Sequence, residues 1–187
     1  MRLLRPLLIG LAAWAACGIG QAANVGERAP SCQVQSLDGS GPLDLAGRTG
    51  KVVYIDFWAS WCGPCAESFP FLDQLNRELK SQGFEVLGVN LDERPADAQA
   101  FLRKRPVGFT LGSDPTGQCP RVYGVQVMPS SYLVDRQGVI RQVHRGFKSG
   151  DKAAIRDQVI QLLGAGPGAQ PGAQPGAQPG AQPGAGR

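Results

Sequence analysis

The 187-residue chain is 42% hydrophobic, enough for one domain of ordinary size with a real core plus extensions. Its formal net charge of +4 is modest, and no basic run is dense enough to suggest nucleic acid, which is excluded as a partner. The one basic triplet, Arg103-Lys104-Arg105, reads as a solvated helix end where cations meet exposed carbonyls.

Residues 1–22 read as a signal peptide. Arg2 and Arg5 precede an apolar run from Leu7 to Ile19, and Gly20-Gln21-Ala22 places small residues at the usual cleavage positions. The run is short for a membrane span, which needs about 20 apolar residues, and Gly10, Gly18 and Gly20 interrupt it. Two other readings remain: Trp14-Ala15-Ala16-Cys17 as a lipoprotein box with Cys17 lipidated, and an uncleaved signal anchor. All three place the domain outside the cytoplasm, and a periplasmic location is expected.

From residue 23 to 50, Gly, Pro and Asp turns separate short apolar pieces, giving an N-terminal β extension. Gln33 to Leu37 alternates, and Asp38-Gly39 reads as a hairpin turn. Lys51 to Phe57 is a central strand. Ala66 to Lys80 is an amphipathic helix with Phe69, Leu72, Leu75 and Leu79 at helical spacing; Pro70 is expected to kink it and Gly83 follows its end. Phe84 to Leu91 is a second buried strand. Pro95 to Arg105 is a second helix with Ala98, Phe101 and Leu102 inward, and Gln118 to Tyr123 is a short helical turn. Ser131 to Val134 and Val139 to Val143 form a hairpin around Asp135-Arg136-Gln137-Gly138. Ala153 to Leu163 closes the domain, with Ile155, Val159, Leu162 and Leu163 apolar. This order predicts an α/β fold with a mixed central sheet flanked by helices over residues 23–163. Residues 164–187 repeat Pro-Gly-Ala-Gln with no apolar face to bury, and read as a disordered tail.

Removing Cys17 leaves Cys32, Cys62, Cys65 and Cys119, an even number in a compartment that permits disulfides. Cys62 and Cys65 pair with each other. Cys32 and Cys119 either bridge or stay as two buried thiols acting as small hydrophobes; the sequence leaves both open.

The chemistry gathers at Trp61-Cys62-Gly63-Pro64-Cys65, where a buried strand ends and a helix begins. Free backbone N–H groups there stabilise a thiolate. Cys62, ahead of the helix, is expected to be exposed and nucleophilic. Cys65, one turn further in, is the resolving thiol, and Pro64 sits where its missing N–H costs nothing. Asp56 stands alone in the apolar run Val52-Val53-Tyr54-Ile55-Asp56-Phe57-Trp58, so burial is expected to raise its pKa and let it take the Cys65 proton. Local sequence leaves the geometry of the Met128-Pro129 bond open. The lone His144 reads as an exposed or hydrogen-bonded strand residue.

The stretch Ile55 to Cys65 resembles the active site of the thioredoxin superfamily, buried acid included. The fuller pattern is similar to the TlpA/ResA/CcmG-like envelope thiol-disulfide oxidoreductases. It comprises Gly26-Glu27-Arg28-Ala29-Pro30, Pro70 five residues after Cys65, Tyr123-Gly124-Val125, Pro129, Tyr132-Leu133-Val134-Asp135 and Gly138. Ser68 stands where many of those relatives carry Glu, and Asp56 follows the thioredoxin pattern instead. The resemblance implies a thioredoxin-like fold over about residues 25 to 163. It makes Pro129 a cis-proline beside the active disulfide, helping to hold extended substrate backbone.

The Gly-Pro pair resembles reducing thioredoxin more than the strong envelope oxidants, implying a protein-disulfide reductant or isomerase-like partner; a monomer is expected. Its clients are expected to be protein disulfides, with cytochrome c biogenesis, oxidase copper-site maintenance and general disulfide repair all open as pathways, and its electrons to come from a membrane donor of the DsbD/CcdA type. No cofactor or metal is expected, since two thiols alone carry two electrons. A peroxiredoxin-like peroxidase would want Thr or Ser where Ala59 stands, and a copper metallochaperone would want Cys-x-x-x-Cys with a partnering His.

Overall fold

The computed structural model describes residues 23–165. The signal-peptide and Cys17 readings, and the repeat tail beyond Ala165, lie outside the described residues. Twelve elements follow the chain: β1 (Gln33–Ser36), β2 (Pro42–Asp44), β3 (Val52–Trp58), α1 (Gly63–Leu79) with a short 3₁₀ turn (Lys80–Gln82), β4 (Phe84–Asn90), α2 (Pro95–Lys104), β5 (Thr110–Ser113), α3 (Gln118–Tyr123), β6 (Ser130–Val134), β7 (Ile140–Arg145) and α4 (Asp151–Gly164).

The seven strands form one mixed sheet in the order β2-β1-β5-β4-β3-β6-β7. β3 and β4 are buried along their whole length, as continuous apolar runs require. They pair in parallel through the α1 crossover, and β4 pairs in parallel with β5 through α2. β6 runs antiparallel to β3, and β7 antiparallel to β6. The expected hairpins are both present: β1 with β2, and β6 with β7. One strand was not expected: β5 has four residues, too few for an apolar alternation to stand out, and β2, the return strand of the first hairpin, has only three. α1 begins three residues before Ala66, because Gly63 and Pro64 enter the helix as its first turn, and it runs unbroken through Pro70.

Alternation along β3 divides the core. Val52, Tyr54 and Trp58 face α1, α2 and α4 with Phe69, Leu72, Phe101, Ile155 and Val159. Val53, Ile55 and Phe57 face α3 and the N-terminal extension, whose Ala23, Ala29, Cys32, Val34 and Leu45 complete that layer. Trp58, Phe69, Phe101 and Phe109 pack at centroid distances of 4.8 to 5.4 Å, contacts worth about 0.5–1.5 kcal/mol per pair beyond burial. The extension is tied to the sheet by backbone bonds, among them Ala29 N to Gly138 O at 2.9 Å and Ile140 N to Glu27 O at 2.9 Å. It is also tied by a disulfide between Cys32 and Cys119, with Cα atoms 5.6 Å apart. Of the two fates open to that pair, the bridge is the one present.

Candidate active site

β3 ends at Trp58 on the α1 face, and Ala59-Ser60-Trp61 carries the chain to Cys62, which caps α1 with extended backbone (φ −84°, ψ 104°). The Cys62 sulfur accepts the Cys65 N–H at 3.2 Å, and the Ala66 N–H reaches the Cys62 carbonyl at 3.3 Å. The Cys65 N–H is a helix-terminal donor and places partial positive charge at the sulfur, while the Ala66 bond closes the first helical turn. Cys62 and Cys65 are joined as a disulfide with Cα atoms 5.3 Å apart. Cys62 is 4% exposed and Cys65 is fully buried. The order of accessibility is the expected one, but the first sulfur is less open than the sequence suggested, because Cys62 packs within the apolar cluster of Trp58, Cys65 and Phe69, against which Met128 also lies. Trp61 beside it is 71% exposed.

The loop before Cys62 is fixed by a residue the sequence did not single out. Asp92, buried just beyond β4, accepts the Ser60 N–H at 3.0 Å and the Ser60 hydroxyl at 2.9 Å, and is itself held by Asn90 Nδ2 at 2.8 Å. A carboxylate two residues past a buried strand was the only signal in the sequence.

Asp56 points to the same face as Tyr54 and Trp58, the face α1 covers. It is fully buried, and that burial pushes its carboxyl up to about 7, against the opposing pull of a Ser131 hydrogen bond. The Ser131 hydroxyl donates to Oδ1 at 2.6 Å, while Oδ2 has no partner. The raised pKa expected from the sequence is thus present, with its cause in the lost hydration of the charged form.

The Met128-Pro129 bond is cis. Since Phe57 pairs with Ser130, Pro129 lies one step further along, toward the end of β3 and the disulfide. Met128 packs against the cluster holding Cys62 and Cys65. The turn is pinned by Gly146 N to Pro129 O at 2.7 Å and by the Ser130 hydroxyl to Val127 O at 2.8 Å. The structure therefore gathers Cys62, Cys65, Asp56 and Pro129 at one end of β3. Of the two readings of His144, the exposed one does not hold: it is a half-buried strand residue of β7 with Gln158 of α4 at its ring, and its Nε2 is enclosed without a partner. Among the described residues, no group of three or more His, Cys, Asp or Glu side chains is placed to hold a metal ion, and no helix is long and apolar enough to cross a membrane.

A thioredoxin-like sheet with a two-cysteine disulfide at the head of its first long helix defines a thiol-disulfide oxidoreductase. The Redoxin family profile matches residues 24–160, and the chain belongs to that family, in its TlpA/ResA/CcmG-like branch. It is 30% identical over 122 residues to the thiol-disulfide oxidoreductase ResA of Bacillus thuringiensis subsp. konkukian, covering 65% of this chain and 70% of that one. A crystal structure described as a DsbE-type thiol:disulfide interchange protein from Chlorobium tepidum superposes with TM-score 0.73 at 45% identity, over 76% of this chain and 100% of that one. The exposed lipoprotein thioredoxin of Streptococcus pneumoniae superposes with TM-score 0.61 at 28% identity, over 71% of this chain and 100% of that one.

Proposed function

We propose that the chain is an extracytoplasmic protein-disulfide reductant working through Cys62 and Cys65, with Asp56 as proton acceptor and Pro129 beside the site. The observation that carries this reading is a disulfide closing the first turn of α1 on the face that also buries the Asp56 carboxyl. In the reduced form the Cys62 thiolate, favoured by the helix-end N–H groups, attacks a client disulfide and joins the client as a mixed disulfide. One client sulfur leaves as thiolate. Cys65 then gives its proton to Asp56 and attacks the Cys62 sulfur. The client departs as a dithiol, and the chain is left oxidised by two electrons. A membrane donor of the DsbD/CcdA type returns those electrons, and the domain acts as a monomer.

The signal-like residues 1–22 and the Cys32–Cys119 bridge both support a periplasmic setting, since structural disulfides persist in oxidising compartments. Candidate clients are disulfides formed in cytochrome c biogenesis, at oxidase copper sites and in misoxidised proteins in general. Cys62→Ser is expected to abolish reduction of insulin disulfides; undiminished activity rejects the mechanism. Cys65→Ser is expected to hold clients as mixed disulfides whose identity names the pathway. Equilibration with glutathione buffers tests direction: a potential above about −180 mV speaks for an oxidase instead.

A further inference from the structure

Three polar side chains stand in register across three adjacent strands. Asp56 on β3 is paired with Ser131 on β6, and Ser131 with His144 on β7. Directly opposed residues share a face with Cβ atoms about 4.5–5.5 Å apart. Here that face is the one holding Tyr54 and Leu133 under α1 and α4. Polar residues are rare in such a place, and this row runs from the buried centre of the sheet to its outermost strand.

Both ends of the row carry buried polar atoms without partners: Oδ2 of Asp56 at one end, Nε2 of His144 and Oε1 of Gln158 at the other. Most buried polar atoms in folded proteins are hydrogen-bonded, so such exceptions call for a reason. The groups around the row are few. Tyr54 from β3 lies 6.1 Å ring to ring from His144 and shares a hydrogen bond with Ser131. Asp151 and Gln158 face His144 from α4. β4 offers only Gly88 opposite Asp56, and α1 contributes the Cys62–Cys65 pair and Ser68. Burial lowers the His144 pKa, against weaker upward pulls from Gln158 and Asp151. A neutral imidazole has one donor and one acceptor nitrogen, the form that both takes and hands on a proton.

We propose that Ser131 and His144 are positioning residues for the Asp56 carboxyl, and that the row Asp56–Ser131–His144 is the route by which its proton reaches water at the sheet edge. The inference rests on the reading of Asp56 as acceptor given above. After Cys65 has delivered its proton, protonated Asp56 passes it to the Ser131 oxygen as Ser131 gives its own to an imidazole nitrogen. The imidazolium releases a proton to water, and Asp56 returns to carboxylate. No electrons move in this step and no further reactant is needed.

The test is steady-state reduction of insulin disulfides by the mature protein with dithiothreitol as electron source, followed across the neutral pH range. The parent is compared with Asp56→Asn, Ser131→Ala, His144→Phe and His144→Gln. The two His144 variants preserve ring packing and polarity respectively, and whichever folds gives the readout. The parent profile is expected to bend near the Asp56 value of about 7. S131A is expected to move the bend upward by about one pH unit, through loss of a hydrogen bond to the charged form. The His144 variants are expected to lower turnover about tenfold and to enlarge the solvent isotope effect. Cys62 alkylation by iodoacetamide stays unchanged in the Ser131 and His144 variants. Profiles of S131A and both His144 variants that superimpose on the parent, with D56N still slow, overturn the row alone. A shift in S131A without any effect at His144 overturns it too, because the path then ends at Ser131. An unaltered rate in D56N removes the Asp56 reading itself and the inference with it.

Discussion

Asp56 shows how one buried group links stability to pH. Its carboxyl titrates near 7 in the folded chain, against 3.8 for the ordinary group. Below about pH 4 it is protonated whether folded or not, and the fold keeps all the stability that group allows. As pH rises toward and through 7 the unfolded chain ionises first, and that contribution is lost. Asp56→Asn is therefore expected to be more stable than the parent at pH 8, by up to about 4 kcal/mol, with the advantage gone near pH 4. Urea unfolding at both pH values checks this; equal midpoints at pH 8 mean the carboxyl is not buried as described. Cys62, Cys65 and Asp56 were legible in the sequence because immediate neighbours set their surroundings: an apolar run around one, a helix start around the others. Ser131 and Asp92 were not, because their partners lie 75 and 32 residues away. The burial of His144 was hidden for the same reason. Its burial comes from α4, which no local pattern connects to β7.

The elements that positioned the site were readable where they were long. β3, α1, β4, α2 and α4 all carry a sustained period, and the β6–β7 hairpin carries its Asp-x-x-Gly turn. β5 escaped because four residues offer too few repeats, and what holds it is pairing with β1 on one side and β4 on the other rather than its own composition. The Cys32–Cys119 bridge lay beyond reach, since 87 residues separate the two sulfurs and only the folded sheet brings them together. It ties the chain just before β1 to α3, a few residues ahead of the cis Met128-Pro129 turn. The chain-entropy model gives a loop of that length roughly 4–5 kcal/mol. The double variant Cys32→Ser, Cys119→Ser is expected to lose most of that in guanidinium unfolding while the Cys62–Cys65 pair still cycles. A midpoint matching the parent refutes the stabilising role.

Across the whole molecule, the N-terminal extension is part of the core rather than an ornament on it. Ala23, Ala29, Cys32, Val34 and Leu45 lie against Val53, Ile55, Phe57, Leu87 and Val89, on the sheet face opposite α1. Removing residues 23–45 uncovers that face and deletes half of the bridge. The truncated chain is expected to bind the dye ANS strongly and to lose cooperative unfolding, as exposed apolar sheet does. Cooperative melting at the parent temperature contradicts this. The bridge has one more consequence. Closing it takes two electrons away from the newborn polypeptide, so some acceptor must collect them before the native scaffold is complete. A molecule that trades in thiols and disulfides thus begins life by surrendering a pair, and its scaffold is finished only once another partner has taken them.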